Sequence, residues 1–288
     1  MRALVLSGGG SKGAYQVGAL KKWMLEDGLE YDIIAGVSVG AINGACLAQV
    51  PIGHPQAAWR TLKSSWDQAD TSKVRKPWCP FGVLSALWKP SVYNSEPLQN
   101  WISNGLDLKK IATSGRILRV VAVSWDTGES RVVSEDDPHL DKWVAASSSF
   151  PGMLTPIKLG NQLWTDGGIR NVTPLGEAIR AGATHIDVIM CSNPEAKDLY
   201  ESDGKSVPSL AFRAIDLMVT QIVRADLKIC GLKNDLAGPY RKVDVRILMP
   251  ETSLATAMQS LDFSPPFLKR MMEIGYQDAC KLGSAPNL

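Results

Sequence analysis

Two glycine-rich turns near the N-terminus contain the residue types best suited to chemistry. Residues 8–13 read GGGSKG, and residues 36–40 read GVSVG. The second turn has the G-x-S-x-G pattern, in which the two glycines permit a turn tight enough to expose a serine hydroxyl between a strand and a helix. The helix that follows directs its N–H groups toward developing negative charge. The pattern predicts Ser38 as a nucleophile, and the alternative is an ordinary glycine-rich turn.

The first turn is compatible with more than one function. Its G-x-G-x-x-G spacing fits a dinucleotide-binding loop, which makes an NAD(P)-binding oxidoreductase one alternative. Such a site wants an acidic residue after the second strand, whereas Asp32 precedes that strand. A phosphate-binding loop also fits poorly, because no Ser or Thr follows Lys12. The interpretation we favour is an oxyanion hole, in which the N–H groups of Gly9, Gly10 and Ser11 hold a substrate oxygen.

A nucleophilic serine needs a base, and the chain has three histidines. His54 lies in a Pro-Gly loop and His139 in an acidic turn, so we expect both at the surface. The order Ser38, Asp166, His185 matches the chain order of α/β-hydrolase triads. However, His185 enters a predicted strand, and we expect it at the edge of the sheet opposite to the serine.

Asp166 is the better candidate for the base. It ends a short predicted strand and is followed by Gly167 and Gly168, so its carboxylate can lie over the sheet edge that presents Ser38. A carboxylate with an ordinary pKa is a weak base for an alcohol. We therefore expect burial to raise the pKa of Asp166. The alternative is an aspartate that only stabilises a turn.

The elements that must position these groups alternate between strand and helix. The uncharged stretch 33–50 contains three glycines and reads as a buried strand followed by a helix rather than as a membrane span. Two strand-turn-helix units within the first fifty residues predict a parallel sheet covered by helices. Further predicted strands span 117–125, 131–133, 162–164, 186–191 and 243–249. Further predicted helices span 141–148, 174–181, 209–234 and 266–282.

Length and composition limit the classes of protein. The 288 residues fit one domain, and the net charge of +2 without a long basic run argues against nucleic acid as a partner. The five cysteines are scattered and predict neither a disulfide framework nor a zinc site. The N-terminus does not read as a signal peptide, so we expect a cytoplasmic location, with contact at a membrane surface as a further option.

The sequence does not decide the role of two segments. Residues 54–101 are rich in tryptophan and predict an insertion outside the sheet. Their part 73–89 combines cations with apolar residues, and could be a membrane anchor, a lid or a structural element. In the long helix 209–234, we expect the side that carries Leu217 and Met218 to face the core. The side that carries Val223 would then be a candidate oligomer contact, and the oligomeric state stays open.

The sequence resembles the patatin-like phospholipase family. The resemblance rests on residues 8–13 and 36–40, on ASSSFPG at 146–152 and on DGG at 166–168, so it covers about residues 1–190. It implies a three-layer α/β/α fold with a mainly parallel sheet, in a single domain over 1–288. Residues 191–288 would complete that domain.

The resemblance also implies a mechanism and a substrate class. It implies hydrolysis of fatty-acyl esters in phospholipids or lysophospholipids by a Ser-Asp dyad, without a cofactor or metal. By position, Ser38 is the nucleophile and Asp166 the base. The other matching positions are Gly8, Gly9, Gly10, Ser11, Lys12, Gly13, Gly36, Gly40, Gly167 and Gly168. A Ser-Lys pair with Lys12 and a catalytically silent lipid-binding relative stay open.

Overall fold

The structure is a computed structural model, and it describes residues 1–195, 207–235, 242–256 and 259–283. The described residues form one eight-stranded sheet. Its strands are β1 (Arg2–Leu6), β2 (Ile33–Gly36), β3 (Ile117–Ser124), β4 (Ser130–Ser134), β5 (Ile157–Leu159), β6 (Gln162–Asp166), β7 (His185–Ile189) and β8 (Asp244–Leu248).

The sheet is mixed, with a parallel and an antiparallel part. Strands β3, β2, β1, β7 and β8 are neighbours in that order, and each pair is parallel. Strands β4, β5 and β6 add antiparallel pairs beyond and beside β3. β8 lies outside the motif-bearing part of the chain and still extends the same sheet.

Ten α-helices are described. They are α1 (Gly13–Leu20), α2 (Val39–Ala48), α3 (Pro55–Asp67), α4 (Thr71–Val74), α5 (Glu96–Gly105), α6 (Leu108–Thr113), α7 (Leu140–Ser147), α8 (Leu175–Arg180), α9 (Val207–Asp235) and α10 (Pro265–Lys281). A π-helical segment, Lys21–Glu26, continues α1, and the described residues also include short 3₁₀ helices at Gly10–Lys12, Gly82–Leu87, Gly167–Ile169 and Gln259–Leu261.

Alternate residues of the central strands face two separate cores, as the two-residue repeat of a strand requires. In β1, Leu4 and Leu6 pack in the core formed with α1, α2, α3, α7 and α10. Ala3 and Val5 pack in the opposite core, which includes side chains of α8 and α9. The expected three-layer α/β/α arrangement is therefore confirmed.

Helix α9 differs from the expectation in the face that it buries. Leu217 and Met218 are 53% and 67% exposed, whereas Val223 and Cys230 are buried in the second core and Leu227 packs against it. The prediction that the Leu217 side faces the core was wrong. Both sides of this helix are apolar, so the repeat alone does not choose between them. Residues 223, 227 and 230 form an i, i+4, i+7 stripe that contacts the sheet.

The segment 54–101 is mainly helical and adds no strand to the sheet. It contains α3, α4, the 3₁₀ helix Gly82–Leu87 and most of α5, with one isolated bridge to Gly152. That this segment is an insertion stays a prediction. The stretch 33–50 forms β2 and α2, as predicted. No helix within the described ranges is long and apolar enough to cross a membrane.

Candidate active site

Ser38 lies in a sharp turn between β2 and α2. Its φ of 57° is the only positive φ of a non-glycine residue among the described residues. Such a backbone conformation costs on the order of 1–3 kcal/mol and persists only where the surroundings enforce it. Gly40 lies so close to β1 that a Cβ would come within 2.2 Å of the Leu6 carbonyl oxygen. The close contact with β1 thus requires glycine after the serine.

Two serines at the end of α7 hold this turn. The Ser147 hydroxyl accepts a hydrogen bond from the Ser38 N–H at 3.0 Å and donates one to the Val121 carbonyl at 2.6 Å. The Ser148 hydroxyl donates to the Ser38 carbonyl at 3.1 Å. Both the N–H and the carbonyl of the strained residue Ser38 are therefore hydrogen-bonded to serine side chains of α7 and its C-terminal end.

Asp166 reaches the same place through the antiparallel part of the sheet. β2 pairs with β3 up to Val120, opposite Gly36, and β6 pairs with the same edge of β3 from Ala122, opposite Asp166. Because β6 runs in the opposite direction to β2, the carboxyl ends of the two strands face each other. This arrangement brings Asp166 and Ser38 to one cavity, although they are far apart in the sequence.

The carboxylate of Asp166 is almost completely buried, with 1% exposure. Its Oδ1 accepts a hydrogen bond from the Gly168 N–H at 2.7 Å. Its Oδ2 is buried and has no hydrogen-bond partner among the described residues. Burial raises the pKa of Asp166 to about 7, while the Ser38 hydroxyl and the Gly168 N–H oppose part of this rise. The carboxyl group is thus able to exchange a proton near neutral pH.

The glycine loop 8–13 forms another wall of the cavity. The N–H groups of Gly9 and Gly10 make no hydrogen bond with any residue in the described ranges. Gly10 has a φ of +60°, and a Cβ there would come within 2.3 Å of the Ser260 carbonyl oxygen. Ser11 is fully buried and its hydroxyl donates to the Gln259 carbonyl at 3.3 Å, so its side chain points away from the cavity.

The cavity has a volume of about 180 Å³ and combines one polar wall with apolar walls. The polar wall contains Ser38, Asp166, Lys12 and the glycine loop. The apolar walls come from several distant parts of the chain and include Ile42, Trp66, Val74, Leu98, Trp101, Phe150, Met153, Leu154, Val172, Leu261 and Phe263.

All three histidines lie within the described residues, and none of them lines this cavity. His54 and His139 are exposed. His185 is the first residue of β7, lies 3.4 Å from Asp244 and pairs with Arg2, at the other end of the strands from Ser38. The expected position of His185 is therefore confirmed.

Lys12 does line the cavity, next to the buried Cys191. Burial raises the pKa of the Cys191 thiol to about 11, and the Lys12 ammonium opposes part of that rise. Asp32 bonds to the Arg2 N–H, where β1 begins, and so lies away from the glycine loop. Asp32 is therefore not placed to contact a ribose bound at that loop.

Sequence reasoning missed several residues of the site. It gave no role to Ser147 and Ser148, although the run of three serines at 147–149 was a visible signal. It also missed the contribution of the chain beyond residue 190. There, Phe263 stacks on Trp66 with ring centroids 6.2 Å apart, and both rings line the cavity. No local motif marks that contribution.

A glycine-flanked serine between a strand and a helix, on a three-layer fold, is the arrangement found in serine hydrolases. A family model described as patatin-like phospholipase matches residues 4–179. The chain belongs to the patatin-like phospholipase family.

Individual relatives agree with this family. Patatin-like phospholipase domain-containing protein 7 of Rattus norvegicus is 30% identical over 199 residues, which cover 68% of this chain and 14% of that protein. Lysophospholipase NTE1 of Debaryomyces hansenii is 26% identical over 191 residues, covering 64% of this chain and 11% of that protein. This chain therefore corresponds to a small part of these relatives. Among solved structures, VipD from Legionella pneumophila is similar, with 15% identity, a TM-score of 0.45, and coverage of 97% of this chain and 66% of that one.

Proposed function

We propose that this protein is a serine-dependent lipid acyl hydrolase that cleaves fatty-acyl esters of phospholipids or lysophospholipids through Ser38 and Asp166. The observation that carries the proposal is the pairing of a strained serine turn with a buried carboxyl group whose Oδ2 has no partner among the described residues, in one apolar cavity. Membership of the patatin-like phospholipase family and the names of the relatives support the substrate class.

In the first step, the ionised Asp166 Oδ2 accepts the proton of the Ser38 hydroxyl as Oγ forms a bond with the ester carbonyl carbon. The carbonyl oxygen becomes an oxyanion, which accepts hydrogen bonds from the N–H groups of Gly9 and Gly10. Ser11 is a third candidate donor through its backbone N–H. When the oxyanion collapses, the C–O bond to the alcohol breaks and the alcohol leaves with the proton from Asp166.

In the second step, water attacks the acyl-Ser38 ester and gives a proton to Asp166. Collapse of the second tetrahedral intermediate breaks the bond to Oγ, which recovers its proton, and the fatty acid leaves. One carboxyl group thus acts alternately as base and acid, and a pKa of about 7 suits both roles near neutral pH. No step uses a histidine.

The lining of the cavity supports an acyl chain as the group bound beside Ser38. The described residues of its apolar walls carry no charged side chain. Each methylene group of a ligand that is buried against them contributes about 0.8 kcal/mol to the free energy of binding. Among the described residues that line the cavity, the one cation is Lys12, on the polar wall near the ester position. This distribution favours an ester with a long apolar chain over a small polar ester.

The test combines covalent labelling with hydrolysis of a soluble nitrophenyl ester. Wild type should react with a fluorophosphonate probe and hydrolyse the ester, and Ser38→Ala should lose both while keeping its unfolding midpoint. Ser130→Ala, at an exposed serine of β4, is the matched control and should retain both. If the probe did not label the wild type, the protein would be a catalytically silent relative. Saturable NAD or NADP binding, with ester hydrolysis absent, would favour the oxidoreductase alternative.

A further inference from the structure

The 3₁₀ helix Gly82–Leu87 presents a row of exposed apolar side chains. Phe81, Leu84 and Leu87 are three residues apart, and the 3₁₀ helix has three residues per turn, so they align on one side. They are 59%, 65% and 82% exposed, while Ser85 is buried beneath them. Trp88, also 59% exposed, contacts the Phe81 ring edge-on with centroids 5.7 Å apart. We call Phe81, Leu84, Leu87 and Trp88 the apolar row.

The charged residues within the segment that carries the apolar row are all cations. Residues 71–95 contain no acidic residue and four cations, which are Lys73, Arg75, Lys76 and Lys89. Lys76 is paired with Glu96 at 2.6 Å and the Arg75 guanidinium lies over the Tyr93 ring, 4.0 Å from its centroid, so Lys73 and Lys89 are the cations better placed to meet an outside anion. Aromatic and aliphatic anchors with flanking cations are the combination that binds an anionic bilayer surface.

The apolar row is also joined to the wall of the catalytic cavity. Val74 and Leu98, before and after it in the sequence, line that cavity. Between them, the Tyr93 N–H donates to the Met153 carbonyl at 3.0 Å, and Met153 is a cavity residue as well. The segment that carries the apolar row therefore also contributes to the wall of the cavity.

We propose that the apolar row and its flanking cations dock the protein on an anionic lipid bilayer. This deepens the proposed function and rests on it for the identity of the substrate. The aromatic and leucine side chains insert among the lipid headgroups, and Lys73 and Lys89 contact the anionic groups. Docking then brings the cavity to the surface from which substrate is taken.

The experiment measures partition onto vesicles by sedimentation, with Ser38→Ala as the background so that the lipid stays intact. One set of vesicles contains phosphatidylcholine only, and the other contains about 30 mol% phosphatidylserine. We expect binding to the second set. Trp88→Ala and Leu87→Ser should each weaken it about tenfold, because each removes a large apolar anchor. Lys73→Gln with Lys89→Gln should weaken it about 25-fold, at about fivefold per cation.

Trp125 is the matched control, because it is 56% exposed, close to the value for Trp88, and lies in the turn after β3. Trp125→Ala should leave partition unchanged. The proposal is overturned if the protein does not bind the anionic vesicles, or if Trp88→Ala and Trp125→Ala have equal effects. Hydrolysis of the soluble ester, measured with Ser38 present, should be unchanged by all four surface variants. A protein that binds vesicles but hydrolyses no ester would refute the proposed function and leave the docking surface standing.

Discussion

Replacing Asp166 with asparagine should stabilise the protein while abolishing hydrolysis. The group is buried, and burial raises its pKa from 3.8 to about 7. In the folded protein, ionisation is therefore unfavourable, and stability falls as the pH rises from about 4 through 7. This rise in pKa corresponds to about 4 kcal/mol. An asparagine side chain cannot ionise, so the Asp166→Asn variant escapes this cost.

The magnitude depends on pH in a defined way. At pH 4 the folded carboxyl is protonated and the unfolded carboxyl is about half ionised, so the two proteins should differ by less than about 1 kcal/mol. At pH 5 the unfolded wild type is already ionised, and the variant should gain about 2 kcal/mol. Above pH 7 the gain should reach about 4 kcal/mol. Urea unfolding at pH 4, 5 and 8 measures these differences, with ester hydrolysis followed in the same samples.

Asp187 is the control, because it is a buried aspartate whose charge is paired. It is 2% exposed, as buried as Asp166, but it forms ion pairs with Arg2 at 2.9 Å and Arg246 at 2.7 Å. Asp187→Asn should therefore destabilise the protein by about 3–5 kcal/mol, because it leaves the buried Arg246 without its partner. If Asp166→Asn also lost stability at pH 8, Asp166 would be held by an interaction that favours its charge. The reasoning about its pKa would then be refuted, and an active Asp166→Asn would refute its role as base.

Three further outcomes are expected at the same site. The kcat/KM for a soluble ester should fall about tenfold per pH unit below about pH 7, because only ionised Asp166 accepts the serine proton; a profile that is flat to pH 5 would contradict this. Ser147→Ala should lower the free energy of unfolding by about 1–3 kcal/mol, because the Ser38 N–H and the Val121 carbonyl both lose their hydrogen-bond partner. It should also lower kcat more than it changes KM. Urea unfolding and steady-state kinetics check both effects, and Ser147→Thr should restore part of the loss. Replacing all three histidines by glutamine should leave kcat within about twofold, and a loss of several orders of magnitude in an ester assay would show that one of them is the base.

The positions of the candidate site residues were largely readable from the sequence, because their residue types are constrained by local backbone geometry. The turn at 36–40 needs glycine where the helix crosses β1, and glycine is visible in a sequence. The strand that ends at Gly36 was likewise marked by an apolar run, and the strand that ends at Asp166 by two glycines directly after it. Local signals thus predicted where Ser38 and Asp166 lie in the fold. Their catalytic roles stay a prediction.

Features that depend on distant packing were not readable. Helix α9 has two apolar sides, and only contact with the sheet shows that Val223 is on the buried one. The short strand β5 has three residues and gains its place by pairing with β6, so its own sequence carries a weak signal. The stacking of Phe263 on Trp66 joins two parts of the chain that no local pattern relates.

The shared edge of β3 has a consequence for which parts of the chain can vary. β2 ends opposite Val120 of β3, and β6 ends opposite Ala122 of the same strand. The distance between the ends of β2 and β6 is therefore set by two positions of β3 that are two residues apart. Residues 54–101 add no strand to the sheet and do not set that spacing. A change confined to the exposed 3₁₀ helix Gly82–Leu87 should therefore leave the two strand ends where they are. The cavity-lining side chains of residues 54–101, such as Val74 and Leu98, can thus change without a change in that spacing.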